Sequence, residues 1–431
     1  MSAAGFLEKL LGGAEVAWVP LGELAELVRG NGLPKSDFVE SGVPAIHYGQ
    51  IYTYYGLETH STISFVSEKT ADALKKVNPG DIVITNTSEN LEDVGTPVLY
   101  LGKEPAVTGG HATIIKPSWH LFGKYFVYFT QTPTFFVEKR KLARGAKVID
   151  VSAKDLAKIE IPIPCPDDPE KSLAIQAEIV RILDSFTQLT AELTAELTAE
   201  LTQRKKQYNH YRERLLSFEG GDVEWKPLDE IGEFIRGKRF TKADYVDEGI
   251  GAIHYGEIYT HYGVFAHKTL SKVRSDMAAS LRYAEPNDVV IAGVSETIED
   301  VGKAVAWLGE EKVAIHDDSY AFRHNMNPKF IAYAMQTDTF HDQKAKYVSS
   351  GKIKRLLIDG VKNVRLPVPY PDDPTKSLEE QKRIVAILDK FDTLTTSISE
   401  GLPREIELRE KQYAYYRDQL LSFPKPDAEA A

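Results

Sequence analysis

Several features that define other protein classes are scarce or missing in this sequence of 431 residues. Cys165 is the only cysteine, which excludes an internal disulfide and is typical of a reducing compartment. There is no apolar run of about 18 residues, so we expect no membrane span. The first residues have neither a basic start nor a long apolar core, which argues against a secretory signal. These absences predict a cytoplasmic protein that does not associate with a membrane.

Motifs of common catalytic centres are also missing. The chain has no Gly-x-x-x-x-Gly-Lys-Ser/Thr or Gly-x-Gly-x-x-Gly loop and no His-Glu-x-x-His or Gly-x-Ser-x-Gly motif. Asn78-Pro-Gly and Asn327-Pro-Lys lack the aromatic residue that stacks a flipped base in methyltransferases. Gly109-Gly-His111 and its counterpart His316-Asp-Asp318 contain metal-ligating groups, but the two differ, so we assign no metal site. We therefore expect no catalytic centre, cofactor or metal in this chain.

Acidic residues outnumber basic ones, and the net charge is −11. Proteins that bind duplex DNA usually carry a basic surface, so this balance weighs against nucleic acid as a ligand. The objection weakens if the positive charges are clustered, or if basic partner subunits complete the surface.

Nearly the whole chain is one unit written twice, which is the strongest signal in the sequence. The repeated segments keep an almost constant separation, and they include aromatic, acidic and basic motifs. The matching pairs are Ile46-His-Tyr-Gly-Gln-Ile-Tyr-Thr-Tyr-Tyr-Gly56 with Ile253-His-Tyr-Gly-Glu-Ile-Tyr-Thr-His-Tyr-Gly263, Glu92-Asp-Val-Gly95 with Glu299-Asp-Val-Gly302, and Lys206-Gln-Tyr-x-x-Tyr-Arg212 with Lys411-Gln-Tyr-x-x-Tyr-Arg417.

Each copy contains a globular part and a helical part. Short β-branched or apolar runs bounded by Gly and Pro predict strands, and they alternate with helical patterns, so we expect an α+β domain. The predicted boundaries are a helical segment at 1–14, globular domains at 15–168 and 219–373, a central helical spacer at 169–218 and a C-terminal helical spacer at 374–431.

The helical parts are long and amphipathic. After Pro169, apolar residues recur every three or four positions as far as Leu216, which predicts a helix or helical hairpin longer than globular helices usually are. The second copy has Ser397-Ile-Ser-Glu-Gly401-Leu-Pro403 at the corresponding place, where we expect a break or kink. The simplest arrangement is an antiparallel coiled coil that separates the two domains. The coil acts as an intramolecular spacer, as a dimerisation element or as a platform for other subunits.

The first helix contains Thr-Ala-Glu-Leu three times in tandem, from Thr190 to Leu201. One added unit would lengthen a helix by about 6 Å and rotate the rest of the chain by roughly 40° beyond a full turn. That rotation is close to the roughly 34–36° between DNA base pairs, although the rise exceeds the base-pair step of roughly 3.4 Å. One hypothesis is that each unit re-phases two DNA-reading domains by one base pair. The alternative is neutral slippage within a helix.

Two repeated globular domains with two repeated long helices resemble the specificity subunit of type I restriction-modification enzymes. The Thr-Ala-Glu-Leu units, the Lys206-Gln-Tyr-x-x-Tyr-Arg212 motif and Ser172-Leu-Ala-Ile-Gln176 are similar to the type IC branch. The resemblance implies two target recognition domains, each reading one half of a bipartite DNA site. It also implies helices that hold the domains apart, set the unspecified spacer through repeat number and dock modification subunits.

The same resemblance implies the partners. These are double-stranded DNA, two modification subunits that bind S-adenosylmethionine and methylate adenine, and two restriction subunits that cleave DNA with ATP and Mg. The chain itself would be a non-catalytic subunit. A stand-alone DNA-binding regulator would not need duplicated docking helices, and a purely structural scaffold would not need the matched aromatic segments.

The aromatic repeat provides the first candidate DNA contacts, because Tyr, His and Thr both stack and hydrogen-bond and Gly lets a loop approach a groove. We predict a reading loop in each domain, formed by His47, Tyr48, Gln50, Tyr52, Thr53 and Tyr54, and by His254, Tyr255, Glu257, Tyr259, Thr260 and His261. Since the loops are alike, the half-sites should form an imperfect inverted repeat, with differences tracing to Gln50/Glu257 and Tyr54/His261. The alternative is a strand-turn whose tyrosines only pack.

Two further groups complete the candidates. Polar residues after an apolar strand suggest groove contacts or a solvated hairpin, namely Ser88 and Asn90, matched by Ser295 and Thr297. Clustered basic residues suit phosphate contacts, which position without specifying sequence. They are Lys139, Arg140, Lys141, Arg144 and Lys147, matched by Lys344, Lys346, Lys352, Lys354 and Arg355.

Overall fold

The computed structural model describes residues 3–218, 221–396 and 401–425, with side chains from residue 7 onward. The chain forms two compact units. Unit 1 consists of residues 1–194 and 408–431, and unit 2 of residues 195–407.

Unit 1 contains the first globular domain. Its strands are β1 (Val16–Pro20), β2 (Ala25–Arg29), β3 (Phe38–Val39), β4 (Val43–Ile46), β5 (Glu58–Thr59), β6 (Ser64–Val66), β7 (Lys75–Val77), β8 (Ile82–Thr85), β9 (Thr87–Ser88), β10 (Pro97–Tyr100), β11 (Ala106–Thr108), β12 (Ala112–Pro117), β13 (Ile149–Asp150) and β14 (Glu160–Pro164). Its helices are α1 (Ala3–Leu11), α2 (Leu21–Leu24), α3 (Tyr48–Thr53), α4 (Glu68–Asp72), α5 (Gly123–Phe129), α6 (Pro133–Leu142) and α7 (Ala153–Leu156).

These strands form two five-stranded sheets, in the orders β2-β12-β8-β10-β5 and β3-β6-β4-β11-β7, and two short pairs, β1-β14 and β9-β13. Every residue of β8 and β10 is buried, as expected for apolar runs at the centre of a sheet. Helices α5 and α6 meet at Thr132, whose hydroxyl caps α6 by accepting from the Phe135 amide (3.3 Å). Pro133 occupies the first turn of α6, where backbone N–H groups have no acceptor within the helix, so the missing N–H of proline costs no helical hydrogen bond.

Helix α8 (Pro169–Ser217) is one continuous helix of 49 residues that contributes to both units, so the alternative of a helical hairpin is wrong.

Unit 2 repeats the architecture of unit 1. Its strands are β15 (Val223–Pro227), β16 (Gly232–Arg236), β17 (Tyr245–Ile253), β18 (Phe265–Ala266), β19 (Ser271–Val273), β20 (Tyr283–Ala284), β21 (Val289–Ala292), β22 (Val294–Ser295), β23 (Ala304–Trp307), β24 (Val313–Ile315), β25 (Ser319–His324), β26 (Lys354–Arg355) and β27 (Arg365–Pro369). Its helices are α9 (Leu228–Ile231), α10 (Tyr255–Thr260), α11 (Pro328–Ala334), α12 (Asp338–Ala345), α13 (Ile358–Val361) and α14 (Pro374–Thr396), and α15 (Leu402–Leu420) contributes to both units.

The main sheet of unit 2 has the order β16-β25-β21-β23-β18, which matches the main sheet of unit 1 strand by strand. The second sheet has the order β19-β17-β24-β20, and the short pairs are β15-β27 and β22-β26. The predicted α+β class with two repeated domains is therefore confirmed. None of the helices in the described ranges combines the length and apolarity that a bilayer span requires.

The long helices pack within each unit. In unit 1, the Phe186 ring of α8 stacks on Tyr416 of α15 at 5.7 Å between centroids, and the Thr187 hydroxyl donates to the Tyr413 hydroxyl (3.0 Å). Later residues of α8 thus meet earlier residues of α15, as in an antiparallel pair. In unit 2, Tyr211 of α8 stacks on Phe391 of α14 at 5.2 Å.

The predicted break in the second copy falls between α14 and α15. Residues 397–400 lie outside the described residues, and α15 begins at Leu402, directly after Gly401. Pro403 then lies in the first helical turn, a position that tolerates proline.

A matching set of hydrogen bonds ties each globular domain to a long helix. In unit 1, Asp184 of α8 accepts from the Lys124 ammonium (2.9 Å) and the Tyr128 hydroxyl (2.7 Å). Buried Gln176 accepts from the Phe122 amide (2.9 Å). We call this set the helix clamp of unit 1.

The helix clamp of unit 2 is built from the equivalent residues. Asp389 of α14 accepts from Lys329 (2.9 Å) and Tyr333 (2.8 Å), and buried Gln381 accepts from the Asn327 amide (2.8 Å). Charged hydrogen bonds of this kind fix orientation as well as distance. In each unit the globular domain therefore has a defined orientation on its own helix.

Candidate nucleic-acid interface

The segment predicted as a reading loop is a short helix in both units, α3 and α10, so that prediction is wrong in conformation. His47 and His254 are the N-caps, and their Nδ1 atoms accept from the amides of Gly49 (3.2 Å) and Gly256 (3.1 Å). The glycines therefore lie inside the first helical turn rather than opening a loop. A helix N-terminus with a reciprocal side-chain cap is a stable local structure.

Gln50 and Glu257 form the second half of each cap. The Gln50 Oε1 atom accepts from the His47 amide (3.1 Å), and its Nε2 donates to the Ser64 hydroxyl (2.6 Å). Glu257 accepts from the His254 amide (3.1 Å) and from the Ser271 hydroxyl. Base reading by Gln50 and Glu257 remains a prediction, and it would compete with these internal bonds.

An aromatic cluster surrounds the start of α3 in unit 1. The Tyr48 ring lies 4.5 Å from that of His47 and 4.9 Å from that of His111, whose Nδ1 lies 2.9 Å from the Thr87 hydroxyl. Burial lowers the pKa of His47, with smaller contributions from nearby Lys35 and His111. The sequence suggested His111 only as a metal ligand. Its position directly before the apolar run of β12 is the signal that was missed.

Unit 2 has an equivalent cluster with a different composition. The His316 ring lies 4.6 Å from that of His254 and 5.4 Å from that of Tyr255. Burial, followed by the neighbouring His316, lowers the pKa of His254 to about 4. His254 is therefore neutral near pH 7, and it presents a hydrogen-bonding ring rather than a cation for phosphate.

The second group of candidates lies beside this helix in each unit. Tyr52 of α3 lies beside the Ser88 side chain, and Ser88 pairs with Ile149 across β9 and β13. In unit 2, the Tyr259 hydroxyl donates to the Val294 carbonyl (2.9 Å), and β22 pairs with β26. The structure thus brings together three groups that the sequence had suggested separately. They are the aromatic helix (α3 or α10), the polar turn that begins at the end of β9 or β22 (residues 88–95 or 295–302) and the basic hairpin that contains β13 or β26 (residues 144–150 or 348–356). We call these three elements together the recognition surface of each unit.

The candidates differ in exposure. Ser88 is buried, whereas the outer residues of the recognition surface are exposed, with Tyr54 at 64%. The exposed candidates are Thr53, Tyr54, Asn90, Arg140, Lys141, Arg144 and Lys147 in unit 1, and Thr260, His261, Thr297, Lys346, Lys352 and Arg355 in unit 2. The partly buried ones are His47, Tyr48, Gln50, Tyr52, His254, Tyr255, Glu257, Tyr259, Ser295 and Lys354.

Two of the basic candidates are buried, so their prediction as phosphate contacts is wrong. Lys139 and Lys344 are 4% and 1% exposed. Their ammonium groups point into the domain and bind backbone carbonyls, so neither can reach a phosphate. Sequence charge alone does not distinguish a surface lysine from a buried one.

His316, Asp317 and Asp318 form the one group of described residues whose metal-ligating atoms lie within 4.8 Å of one another. The His316 Nδ1 atom accepts from the Asp318 amide (3.2 Å), and the Asp318 carboxylate binds Arg355 (3.2 Å). Groups of this same chain therefore already bind His316 Nδ1 and the Asp318 carboxylate, and we assign no metal to this group.

Comparison with known proteins gives a consistent result along the whole chain. A family profile described as "Type I restriction modification DNA specificity domain" matches residues 14–203 and 221–408. The chain is 35% identical over 441 residues to the type I restriction enzyme EcoR124I/EcoR124II specificity subunit of Escherichia coli, covering 99% of both proteins. It is 32% identical to a putative type I restriction enzyme specificity subunit of Haemophilus influenzae, covering 97% of this chain and 98% of that protein.

Solved structures share the fold at low sequence identity. A chain from a study of complex assembly and conformational transition of the type I restriction-modification system aligns with a TM-score of 0.66 at 15% identity, covering 94% of this chain and 97% of that one. The HsdS subunit of Thermoanaerobacter tengcongensis aligns with a TM-score of 0.53 at 15% identity, covering 94% and 95%.

Proposed function

The chain belongs to the type I restriction-modification DNA specificity family and is a specificity subunit with two target recognition domains, and on that premise we propose that each domain reads one half of a bipartite DNA target. The observation that carries the proposal is the recurrence of the recognition surface. In both units a capped aromatic helix, a polar turn and a basic hairpin are adjacent, with exposed side chains suited to base edges and phosphates.

The long helices have a proposed role as spacer and platform. Both helix clamps fix a globular domain onto a helix, so a change in helix length or phase would be transmitted to the recognition surface. The Thr-Ala-Glu-Leu units lie within the continuous helix α8, where one added unit adds about 6 Å and roughly 40° beyond a full turn. The matched helical segments would each dock one modification subunit.

The proposed complex supplies the chemistry that this chain would lack. The specificity subunit acts without a catalytic centre or cofactor. Two modification subunits bind S-adenosylmethionine and methylate adenine, and two restriction subunits cleave DNA with ATP and Mg. The complex would act in the cytoplasm, where its proposed DNA substrate would lie.

Mapping of adenine methylation tests this proposal. A methyltransferase-negative host would express the chain with its modification subunit, and the expected product is a split motif with two specified segments around a fixed unspecified gap. Versions with two or four Thr-Ala-Glu-Leu units should change the gap by about one base pair each and keep both segments. A continuous motif would contradict the two-reader proposal, and an unchanged gap would contradict the spacer proposal alone.

A further inference from the structure

The repeated Glu-Asp-Val-Gly segments, residues 92–95 and 299–302, form a turn on the recognition surface of each unit. The turn comes after the strand with Ser88 or Ser295, and the candidate residues Asn90 and Thr297 lie at its start. The turn also serves the fold, because the Gly95 and Gly302 amides donate to Thr85 and Ala292 of the main sheet and Val94 and Val301 are buried in the core. A further contact reaches the turn from inside the domain.

In unit 1 the turn closes around the Lys139 ammonium. This group donates to the carbonyl oxygens of Glu92 (3.0 Å) and Val94 (2.6 Å), and the side chain is 4% exposed. Gly95 has a φ of +76°, and a Cβ atom there would lie 3.2 Å from Lys139 Cδ. Glycine is needed at this position both for the backbone conformation and for the approach of the lysine.

Unit 2 repeats the arrangement in detail. The Lys344 ammonium donates to the carbonyl oxygens of Glu299 (2.6 Å) and Val301 (2.5 Å), and its side chain is 1% exposed. Gly302 has a φ of +88°, and a Cβ atom there would lie 3.1 Å from Leu356 Cδ2 and 3.4 Å from Lys344 Cδ. The same charge is therefore buried in the same place twice.

The outer side of each turn is fixed by its candidate DNA contact. Asn90 donates to the Asp93 carboxylate (2.7 Å) and accepts from the Asp93 amide (2.8 Å). The Thr297 hydroxyl donates to Asp300 (2.7 Å) and accepts from its amide (3.1 Å). The lysine binds the turn from inside the domain, and Asn90 or Thr297 binds the aspartate in the middle of the same turn. A change in the position of the lysine would therefore shift the polar side chain as well.

A buried ammonium is costly unless it is fully hydrogen-bonded, and a neutral side chain of similar length would fill the same space without that cost. We propose that Lys139 and Lys344 are positioning residues for DNA recognition, each setting the orientation of the turn through which its own domain discriminates its half-site. This inference rests on the proposed function, because it assumes that the two domains read separate half-sites.

The test compares Lys139→Met and Lys344→Met, one at a time, in the full complex with modification subunits. Methylation rates would be measured on duplexes with a single base changed in one half-site or the other. For K139M we expect discrimination to fall about 10-fold in the half-site read by the first domain and to stay unchanged in the other. K344M should show the reverse pattern. The exposed Lys154, in helix α7, provides a control, and K154M should retain both discriminations.

Gly95→Ala is a second variant that disturbs the same contact from the turn and leaves the lysine in place, so the inference can be tested even if K139M does not fold. It should reproduce the one-sided loss. Equal loss at both half-sites, or a loss of stability with both discriminations retained, would assign a purely structural role and overturn the inference. If the wild-type complex itself shows no separate half-sites, it is the proposed function that fails.

Discussion

Lys139 and Lys344 place an amino group in the interior of each domain, where burial disfavours its charged form. Burial lowers the pKa of both to about 8, against the opposing effect of Glu92 and Asp93 on Lys139, and of Asp300 and Glu299 on Lys344. In the unfolded chain a lysine titrates near its ordinary pKa of about 10.4. Between these two values the unfolded chain binds more protons than the folded one, so the free energy of unfolding rises with pH in this window.

We therefore expect the wild type to gain stability relative to K139M as the pH rises from about 8 to about 10. The measurement is the denaturation midpoint of both proteins at each pH, with K154M as the control that should change in parallel with the wild type. A difference between wild type and K139M that stays constant across this window would contradict the lowered pKa of the buried lysine.

Single residues were the hardest to predict from the sequence. His47 and His254 stay predictions as DNA contacts, and their capping role was not predicted, because histidine is not among the usual N-cap residues. Lys139 resembles a phosphate contact in the sequence because its neighbours are basic. The one hint in the sequence is Gly95, which is far from Lys139 along the chain and recurs as Gly302. A repeated glycine indicates that another group approaches the backbone closely at that position.

At the scale of whole elements, the helix clamps connect each globular domain to a long helix through a few hydrogen bonds. Asp184→Asn removes the negative charge that the Lys124 ammonium and the Tyr128 hydroxyl share. We expect a loss of about 1–2 kcal/mol in the free energy of unfolding, because partly buried donors lose a charged acceptor. Glu178→Gln is a matched control on the same helix, since the pair Glu178–Arg181 is exposed and solvent screens it, so its loss should change the free energy of unfolding much less. Equal effects of the two changes in chemical denaturation would contradict this role for the clamp.

Elements with strong periodicity were predicted well. The apolar spacing after Pro169 predicted the long helix, and the threefold tetrapeptide, made of good helix formers, gave no reason for a hairpin. The short helices α3 and α10 were missed because each has only six residues and contains a glycine, so periodicity has too few positions to act on. Their caps, not their apolar pattern, determine the structure.

For the whole molecule, the duplication predicts how the two half-sites are related. Since the recognition surfaces are built from the same elements, mapped half-sites should form an imperfect inverted repeat. Tyr54→His should shift the preference of the first half-site toward that of the second, because Tyr54 and His261 are exposed counterparts at the ends of α3 and α10. The measurement is the methylation motif of the variant compared with the wild type. Two unrelated half-sites, or a motif unaffected by the change, would contradict the expectation.

Unit 1 is built from two separate stretches of the chain, and this affects how it folds during synthesis. Leu420, Leu421 and Phe423 lie in the same hydrophobic core as residues of the first domain, and the Trp18 indole donates to the Pro424 carbonyl (3.1 Å). Unit 2, in contrast, is contiguous, and its core residues are synthesised before these. At translation rates of roughly 5–20 residues per second, the nascent first domain would wait roughly 12–48 s for its last core residues. During that interval its exposed apolar surface is a natural substrate for chaperones, and the second domain, though later in the gene, is the first whose core is fully synthesised.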